Sequence, residues 1–355
     1  MSGDALELAV IRGDGIGPEL VDSALEVLAA VCAAESLTLH VLEEPGGAAH
    51  FRATGEPLSP GALERLRRAD GILKGPVGLP EVRHPDGTEA GLLGGVMRIG
   101  LDTFANVRPI RLLPGVTGAT RHEPGQIGYV IVRENTEGLY LSRGAGVATH
   151  HAACDQLLVT RAGTERVVRH AFELAVGRSG APSDGVRRVT CVDKSNVLRS
   201  FALFREVFDE VAGEYAEVAA EHLYADAAAH ELVARPERFD VLVMENFLGD
   251  ILSDLGAATA GGLGMCPSGN IGASAAYFEP IHGSAPSLAG RDLANPVSQL
   301  LSAGMLLRHA RRPAAADRLE RAVEATFADG AVRLRSDGTP EQGTRAVTRA
   351  VLARI

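Results

Sequence analysis

The chain has 355 residues and a formal net charge of −10 at pH 7, with 46% hydrophobic and 23% charged residues. This length predicts two domains, and the composition is that of a globular chain with a full core rather than a disordered one. The acidic balance and an aromatic content of 4% exclude a broad basic or base-stacking surface. No apolar run has membrane-spanning length, so we expect neither a nucleic-acid partner nor a membrane partner.

The hydrophobic pattern alternates strands and helices along most of the chain, which predicts an α/β fold. We predict strands at 6–11, 37–43, 71–78, 104–113, 127–135, 187–193, 216–225 and 239–246. We predict helices at about 18–34, 60–68, 161–176, 200–213, 249–261 and beyond 297, with loops at 79–95 and 329–343. The pattern alone leaves open whether the first strands and the last helices share one domain.

The four cysteines are scattered along the chain and form no CxxC pair. This spacing predicts buried, reduced thiols rather than a disulfide framework, for Cys32, Cys154, Cys191 and Cys266. The first residues lack a basic segment followed by an apolar one, so no export signal is expected. Together these features predict a cytoplasmic protein.

A glycine-rich turn, Gly13 to Pro18, follows the first predicted strand. Its spacing is G-x-G-x-G-P rather than G-x-G-x-x-G, and Pro18 removes an amide that a phosphate would use. A Rossmann phosphate loop is therefore the weaker interpretation of this turn.

Only two of the 35 basic residues are lysines, Lys74 and Lys194. Arginine keeps its proton at usable pH, whereas lysine can shift its pKa and exchange protons. Retained lysines in an arginine-biased chain therefore indicate positions where a titrating amine is needed. Chance survival of two ordinary lysines explains the count equally well.

Three carboxylates occupy positions that suit a divalent cation. Asp250 and Asp254 are four residues apart in a predicted helix, so they share one face, and a cation would relieve their repulsion. Asp226 lies at the end of a predicted strand, before a helix. Oxygen ligands without a His/Cys cluster favour Mg²⁺ or Mn²⁺ over zinc. Helix capping is the ordinary alternative for all three.

Arginines near strand ends suit a substrate with several carboxylates, because guanidinium pairs with carboxylate in a bidentate manner. The candidates are Arg98, Arg108 and Arg133, with surface ion pairing as the alternative. Tyr140 suits an acid if a lysine lies near its hydroxyl. His282 lies in a small-residue loop that permits close approach of a bulky ligand.

Taken together, these motifs resemble the β-decarboxylating dehydrogenases, which act on isocitrate, homoisocitrate, 3-isopropylmalate and tartrate or D-malate. The matching stretches span nearly the whole chain in the order of that family: GDGIGPE, FANVRP, VIVRENTEGLY, VDKSNVL, YADAAA, FLGDILSDLGAATAGGLGMCPSGNIG, FEPIHGSAP and ANPVSQLLSAGML. The resemblance implies a two-domain fold that is not a Rossmann fold, with a mixed central sheet flanked by helices. It implies a large, cofactor-binding domain from 1–103 plus 261–355, and a small domain, 104–260, with the dimer interface and the metal and substrate residues.

The resemblance also assigns roles to residues. Arg98, Arg108 and Arg133 would bind the malate carboxylates. The metal would be held by Asp250, Asp254 and, from the second subunit of a homodimer with shared active sites, Asp226.

Three residues would move protons in that scheme. Lys194 of the second subunit, assisted by Asp226, would take the C2 hydroxyl proton, and Tyr140 would protonate the enol carbon after CO₂ leaves. The cofactor would be held by Glu279, His282, Gly283, Ser284, Ala285, Ser287, Leu288 and Asn295.

The chain departs from the family pattern at positions that set specificity. After HGSAP it has Ser287-Leu288, where NAD enzymes usually have Asp and NADP isocitrate enzymes Lys-Tyr, which favours NAD without excluding NADP. The segment 87–98, GTEAGLLGGVMR, matches no subgroup cleanly, and Gly94 and Gly95 leave room for an unusual C3 substituent. The C-terminal segment 333–344 also departs from the usual loop, which leaves its cofactor contacts open.

We therefore predict metal-dependent, NAD(P)-linked oxidative decarboxylation of a 3-substituted (2R)-malate. The main expectation is an isocitrate-like or homoisocitrate-like substrate, or a specialised analogue such as a phosphonomethylmalate. The alternatives are 3-isopropylmalate and tartrate or D-malate. A non-catalytic regulatory subunit is the alternative of a different class, and the retained catalytic and metal residues disfavour it.

Overall fold

A computed structural model describes residues 5–355. Residues 1–4, which belong to the predicted first domain and to the segment in which no export signal is expected, lie outside the described residues. Within that range the strands are β1 (Ala5–Ile11), β2 (Thr38–Glu43), β3 (Gly71–Lys74), β4 (Ala105–Arg111), β5 (Gly128–Glu134), β6 (Val147–Ala148), β7 (Ala153–Cys154), β8 (Arg188–Asp193), β9 (Ala219–Tyr224), β10 (Val241–Met244), β11 (Pro267–Ile271) and β12 (Ala276–Pro280).

The α-helices of the described part cover the sheet and connect its parallel strands. They are α1 (Gly17–Ala34), α2 (Ala48–Thr54), α3 (Ala62–Leu66), α4 (Leu93–Gly100), α5 (Arg161–Val176), α6 (Arg199–Ala212), α7 (Ala225–Ala234), α8 (Asn246–Thr259), α9 (Val297–His309), α10 (Pro313–Ala328) and α11 (Thr344–Leu352). No helix among residues 5–355 is both long and apolar enough to cross a bilayer.

The main sheet has ten strands in the order β2-β1-β3-β12-β11-β4-β5-β10-β8-β9. Its outer portions are parallel, as strand–helix alternation dictates, because a parallel neighbour requires a crossover connection. Its centre, β12-β11-β4-β5, is antiparallel. A Rossmann sheet is mostly parallel, so the predicted mixed α/β sheet that is not a Rossmann fold is confirmed.

Two apolar clusters hold the helices on this sheet. The larger one joins β1, α1, α9 and α10 to β5 and β10, and the smaller one packs α5 and α6 against β5, β8 and β10. Because the larger cluster contains residues of both predicted domains, the core is continuous between them. In the sheet, however, the strands of 1–103 plus 261–355 all precede those of 104–260.

Several predicted elements differ from the observed ones. The hairpin β11–β12 and the helix α2 were absent from the prediction, and α4 begins inside the segment 79–95 that was predicted as a loop. The strand predicted over 71–78 ends at Lys74, and the helix predicted from 249 begins at Asn246. Cys154 is exposed, so the prediction of four buried thiols is wrong for that residue.

The glycine-rich turn has a structural task that its motif did not reveal. The buried Asp14 carboxylate accepts hydrogen bonds from the backbone amides of Ala48 and Ala49 at 2.8 and 2.9 Å, and from that of Gly78 at 2.8 Å. A Cβ atom at Gly13, where φ is +74°, would lie 2.1 Å from a backbone oxygen. The turn therefore binds the start of α2 and the segment after β3 through its own carboxylate.

Candidate active site

Three arginines from different elements meet near the antiparallel centre of the sheet. Arg108 and Arg133 lie on the neighbouring strands β4 and β5, and only 5% and 1% of their surfaces are exposed. Arg98 lies in the last turn of α4, and its buried Nε atom has no hydrogen-bond partner among the described residues. Buried cations of one sign repel, so this cluster is suited to an anionic ligand.

Helix α8 brings two carboxylates to the arginines. Asp250 forms an ion pair with Arg133, and its Oδ1 lies 3.6 Å from Arg108. Asp254, one turn later, has its Oδ1 3.7 Å from the Arg108 guanidinium. At Gly249 a Cβ atom would lie 2.5 Å from the Arg133 side chain, so glycine is what allows α8 to approach β5 this closely.

The charges of this cluster shift its pKa values. Burial lowers the pKa of Arg133 to about 9, and Arg98 and Arg108 add to the effect. Burial raises the pKa of Asp250, but Arg133 and Arg108 outweigh it, so the net shift is downward. Burial, with a contribution from Asp250, raises the pKa of Asp254. Asp250 is therefore ionised beside the arginines. A further cation near Asp254 would lower the raised pKa of the Asp254 carboxyl group.

Tyr140 belongs to the same cluster. Its hydroxyl donates a 2.7 Å hydrogen bond to Asp250 Oδ2, and burial together with this bond raises the pKa of Tyr140 to about 12. The expected lysine is not its partner, because Lys194 pairs with another carboxylate. Within one chain, the Tyr140 hydroxyl therefore stays protonated to a higher pH than an ordinary tyrosine does.

Lys194 and Asp226 form a separate pair. The Lys194 ammonium lies 2.6 Å from Asp226 Oδ1, and 33% and 73% of the two side chains are exposed. Among residues 5–355, no group of three His, Cys, Asp or Glu side chains is placed to hold a metal ion. The single chain therefore does not bring Asp226 to Asp250 and Asp254.

None of the three aspartates occupies an N-cap position. Asp226 lies in the first turn of α7, but the N-cap position is Tyr224. Asp250 and Asp254 lie within α8, whose N-cap is Glu245, with a side chain that accepts the amides of Phe247 and Leu248.

A cleft of about 560 Å³ opens over this cluster. Arg98, Arg133, Tyr140 and Asp250 line its inner part, while Arg108 lies beside it. Toward the outside the lining consists of Gly94, Gly95, Ile99, Leu139, Leu141, Arg143 and Asp155, among others. A Cβ atom at Gly95 would meet no atom within 4 Å, so this position leaves open space.

A second cleft of about 560 Å³ adjoins the first across α8, because Asp254 lines it. Predicted cofactor residues in its lining are His282, Gly283, Ala285, Leu288 and Asn295. The wall facing them contains Gly262, Gly264 and the segment 337–339. Small residues on both walls admit a flat, bulky ligand, so the cleft fits a dinucleotide.

Three predicted cofactor residues are not in that lining. The Ser284 hydroxyl donates to the Gly78 carbonyl oxygen and is buried, so it is occupied within the protein. The Glu279 carboxylate pairs with the buried Lys74 ammonium at 2.5 Å. Ser287 is exposed beside the cleft, in the short turn that contains Leu288.

Sequence reasoning missed the amides that surround the arginines. Asn246 accepts from Arg133 Nε at 3.0 Å, and Asn106 accepts from Arg108 Nε at 2.6 Å. Asparagines inside or directly after an apolar strand were the available signal, since such buried groups require hydrogen-bond partners. The lysine count pointed to Lys74 but did not reveal Glu279 as its partner.

The comparisons with known proteins agree with this geometry. Residues 7–351 match the family described as isocitrate/isopropylmalate dehydrogenase. Relatives named 3-isopropylmalate dehydrogenase include one from Clavibacter michiganensis, 42% identical over 94% of each chain, and one from Corynebacterium glutamicum, 43% identical over 96% of this chain and 98% of that one.

Solved structures are also similar. The crystal structure of isocitrate dehydrogenase from Methylococcus capsulatus has a TM-score of 0.85 and 35% identity over 98% of both chains. The TT0538 protein from Thermus thermophilus has a TM-score of 0.84 and 38% identity, over 98% of this chain and 67% of that one. The chain belongs to the isocitrate/isopropylmalate dehydrogenase family and is a β-decarboxylating dehydrogenase.

Proposed function

We propose that this enzyme catalyses the metal-dependent, NAD-linked oxidative decarboxylation of a 3-substituted (2R)-malate, with 3-isopropylmalate as the best-supported substrate. The observation that carries the proposal is the cluster of Arg98, Arg133, Tyr140 and Asp250 in one cleft. The names of the relatives support 3-isopropylmalate, which was the alternative, better than the isocitrate-like main expectation.

The arginines have the arrangement that a malate core requires. Arg98 and Arg133 face the cleft, and Arg108 lies beside Asp250, so carboxylates at both ends of the substrate would find guanidinium partners. The lowered pKa of Arg133 would recover on binding, because the substrate charge offsets the repulsion among the cations.

Asp250 and Asp254 would hold a Mg²⁺ or Mn²⁺ ion, with Asp226 of a second copy completing the carboxylates. Their carboxylates lie one turn apart on one face of α8, beside the same Arg108 guanidinium, and this pair of oxygen donors fits such an ion. When bound, the cation would supply Lewis-acid polarisation at the C2 oxygen, and NAD would supply the hydride acceptor.

The proton transfers belong to the protein. Lys194 of the second copy, assisted by Asp226, takes the proton of the C2 hydroxyl as hydride leaves C2. After the β-carboxylate departs as CO₂, Tyr140 donates its proton to C3. A raised pKa suits Tyr140 to this role, since it keeps the proton until a carbon base forms beside it.

The second cleft would hold the cofactor. His282, Gly283, Ala285, Leu288 and Asn295 line it. Ser287 and Leu288 favour NAD, because neither carries the positive charge with which a lysine would pair with a 2′-phosphate. We also propose the predicted division into 1–103 plus 261–355 and 104–260. It is supported by the separation of their strands in the sheet.

The test is a substrate panel. We would measure NADH and NADPH formation with Mg²⁺ or Mn²⁺ and 3-isopropylmalate, isocitrate, homoisocitrate, D-malate, tartrate or 3-(phosphonomethyl)malate. The proposal predicts the highest kcat/KM for 3-isopropylmalate with NAD. Absence of reduced cofactor with every substrate would contradict the proposed reaction.

A polar C3 substituent is the second candidate, because Arg143 lines the outer cleft. No Asp or Glu oxygen among the described residues lies within salt-bridge distance of its guanidinium, which makes a single 3.4 Å contact with the Glu89 carbonyl oxygen. An anionic substituent reaching past Gly94 and Gly95 would meet this guanidinium, although Asp155 lines the same wall. In the panel, preference for isocitrate or the phosphonate over 3-isopropylmalate would select this candidate.

A further inference from the structure

A row of polar side chains crosses four strands of the sheet behind the proposed substrate cleft. It begins at Lys74 on β3, whose ammonium lies 2.5 Å from Glu279 Oε2 on β12. Asn270 on β11 donates to Glu279 Oε1 at 3.1 Å and accepts from Asn106 on β4 at 2.6 Å. Asn106 then accepts from Arg108 Nε at 2.6 Å.

Sheet register explains why these groups meet. Asn270 and Asn106 are directly opposed in the β11–β4 pair, so their side chains lie on the same face. Asn106 and Arg108 are two residues apart on β4, which places them on that face as well. Lys74, Asn106, Asn270 and Arg108 all have at most 5% of their surface exposed.

The groups at the two ends of this row, the Glu279 carboxylate and Arg108 Nε, determine the orientation of the Asn270 and Asn106 side-chain amides. The Glu279 carboxylate, held ionised by Lys74, only accepts hydrogen bonds, and Arg108 Nε only donates. Asn270 must therefore turn its NH₂ group to Glu279 and its oxygen to Asn106, and Asn106 must turn its oxygen to Arg108. Asn135 agrees with this direction, because it also donates to Asn270 Oδ1, at 2.9 Å.

We propose that Asn270 and Asn106 are positioning residues, which form a one-way hydrogen-bond relay from Glu279 that aims the Arg108 guanidinium at the substrate carboxylate. The relay occupies Nε, and Ser253 accepts from Nη1 at 2.6 Å, so Nη2 is directed toward the cleft side, 3.6 Å from Asp250. The proposal rests on the proposed function, in which Arg108 binds the malate core.

The relay also crosses the boundary between the two predicted domains. Lys74, Glu279 and Asn270 belong to 1–103 plus 261–355, and Asn106 and Arg108 belong to 104–260. It thereby couples the direction of Arg108 to strands of the other domain.

Asn270→Asp tests the direction, because a protonated carboxyl group has the shape and the donor–acceptor pattern of the amide. The new carboxyl would face Glu279 on β12, with Lys74 on β3 behind it and Arg108 two links away on β4. Burial and Glu279 raise its pKa, while Lys74 and Arg108 lower it. We expect a net rise, because only the protonated form can donate to Glu279.

The measurement is calorimetric titration of the full chain with Mg²⁺ and D-malate, the unsubstituted core of all proposed substrates, between about pH 5 and pH 9. Relative to the wild type, Asn270→Asp should bind D-malate normally at the acidic end and about tenfold more weakly at the alkaline end. Asn270→Ala should lose about tenfold at every pH, and NAD affinity should change in neither variant.

Ser302→Ala is the matched control. Its buried hydroxyl donates to the Glu279 carbonyl oxygen at 2.8 Å but touches no side chain of the relay. It should lose stability without changing D-malate affinity. Equal D-malate affinity in Asn270→Ala and the wild type, or a pH-independent ratio for Asn270→Asp, would overturn the relay.

Thermal unfolding separates this failure from failure of the proposed function. If the wild type neither binds D-malate nor reduces NAD with any substrate, the proposed function fails. The direction of the relay is still tested, because the raised pKa makes Asn270→Asp stable at low pH and less stable as pH rises through it. A melting temperature of Asn270→Asp that follows the wild type at every pH would exclude the relay.

Discussion

At the scale of single residues, ion pairing decides which charged groups are ready for chemistry. Asp250 is shared by Arg133, Arg108 and the Tyr140 hydroxyl, so its charge is balanced before any ligand binds. Lys194 is balanced by Asp226 in a partly exposed pair. Because exposed ion pairs are weak, this pair separates at small cost when another group competes for either member.

Lys194 should be essential to turnover because it can give up a proton. We expect Lys194→Met to lose at least about 10²-fold in kcat, the usual scale for a general base. Lys194→Arg keeps the charge beside Asp226 but cannot release a proton, so it should lose as much. Steady-state kinetics with 3-isopropylmalate checks both variants, and wild-type kcat in Lys194→Arg would remove the proposed role.

At the scale of elements, α8 organises the site. Its i, i+4 spacing presents Asp250 to the cleft over the arginines and Asp254 to the second cleft. Gly249 permits the close packing of α8 on β5. The neighbouring antiparallel strands β4 and β5 then supply the buried arginines that the helix carboxylates meet.

Gly249→Ala should disturb this packing. The added methyl group meets the Arg133 side chain, so we expect a loss of about 1–3 kcal/mol in unfolding free energy and a raised substrate KM. Gly177→Ala is the control, because its Cβ would meet only one atom, at an ordinary 3.6 Å. Urea unfolding and kinetics would decide, and an unchanged KM in a destabilised Gly249→Ala would limit the glycine to a packing role.

Asp250→Asn should weaken the metal site. Loss of one carboxylate charge should raise the Mg²⁺ concentration needed for half-maximal activity by at least about tenfold. Asp209→Asn, which changes an exposed helical carboxylate paired with His222, should leave the Mg²⁺ titration as in the wild type. Identical titrations for Asp250→Asn and Asp209→Asn would exclude Asp250 as a ligand.

At the scale of the whole molecule, one chain holds two incomplete halves of a site. Arg98, Tyr140, Asp250 and Asp254 surround the clefts, while the Lys194–Asp226 pair is exposed elsewhere. In the proposed two-fold symmetric dimer, each pair would lie opposite the cleft of the other copy, and the isologous contact would repeat this arrangement in both sites. The prediction of shared active sites thus explains why the residues of one chain do not converge.

Mixing two inactive variants tests this arrangement. In a heterodimer of Lys194→Met and Asp250→Asn, one site would have both native residues and the other neither. Random exchange should therefore restore about a quarter of wild-type activity. Lack of any recovery, with exchange verified by mass spectrometry, would show that Lys194 and Asp250 act within one chain.

The sequence alone predicted most of the candidate site residues, because reaction chemistry requires particular residue types at local spacings. Asp250 and Asp254 share a helix face by their separation, and the lysine count singled out Lys194. The strand–helix alternation likewise predicted the parallel outer parts of the sheet. These features depend on near neighbours in the chain, which a pattern of residues shows directly.

Other features depended on contacts between distant segments, and only the tertiary structure decided them. The hairpin β11–β12 enters the middle of the sheet, and its register places Asn270 opposite Asn106. Asp14 binds amides that follow it by more than thirty residues. Local spacing carries no information about such partners. The buried hydrogen-bond relay behind Arg108 could therefore be found only in the tertiary structure, whereas the proposed reacting groups could be predicted from the sequence.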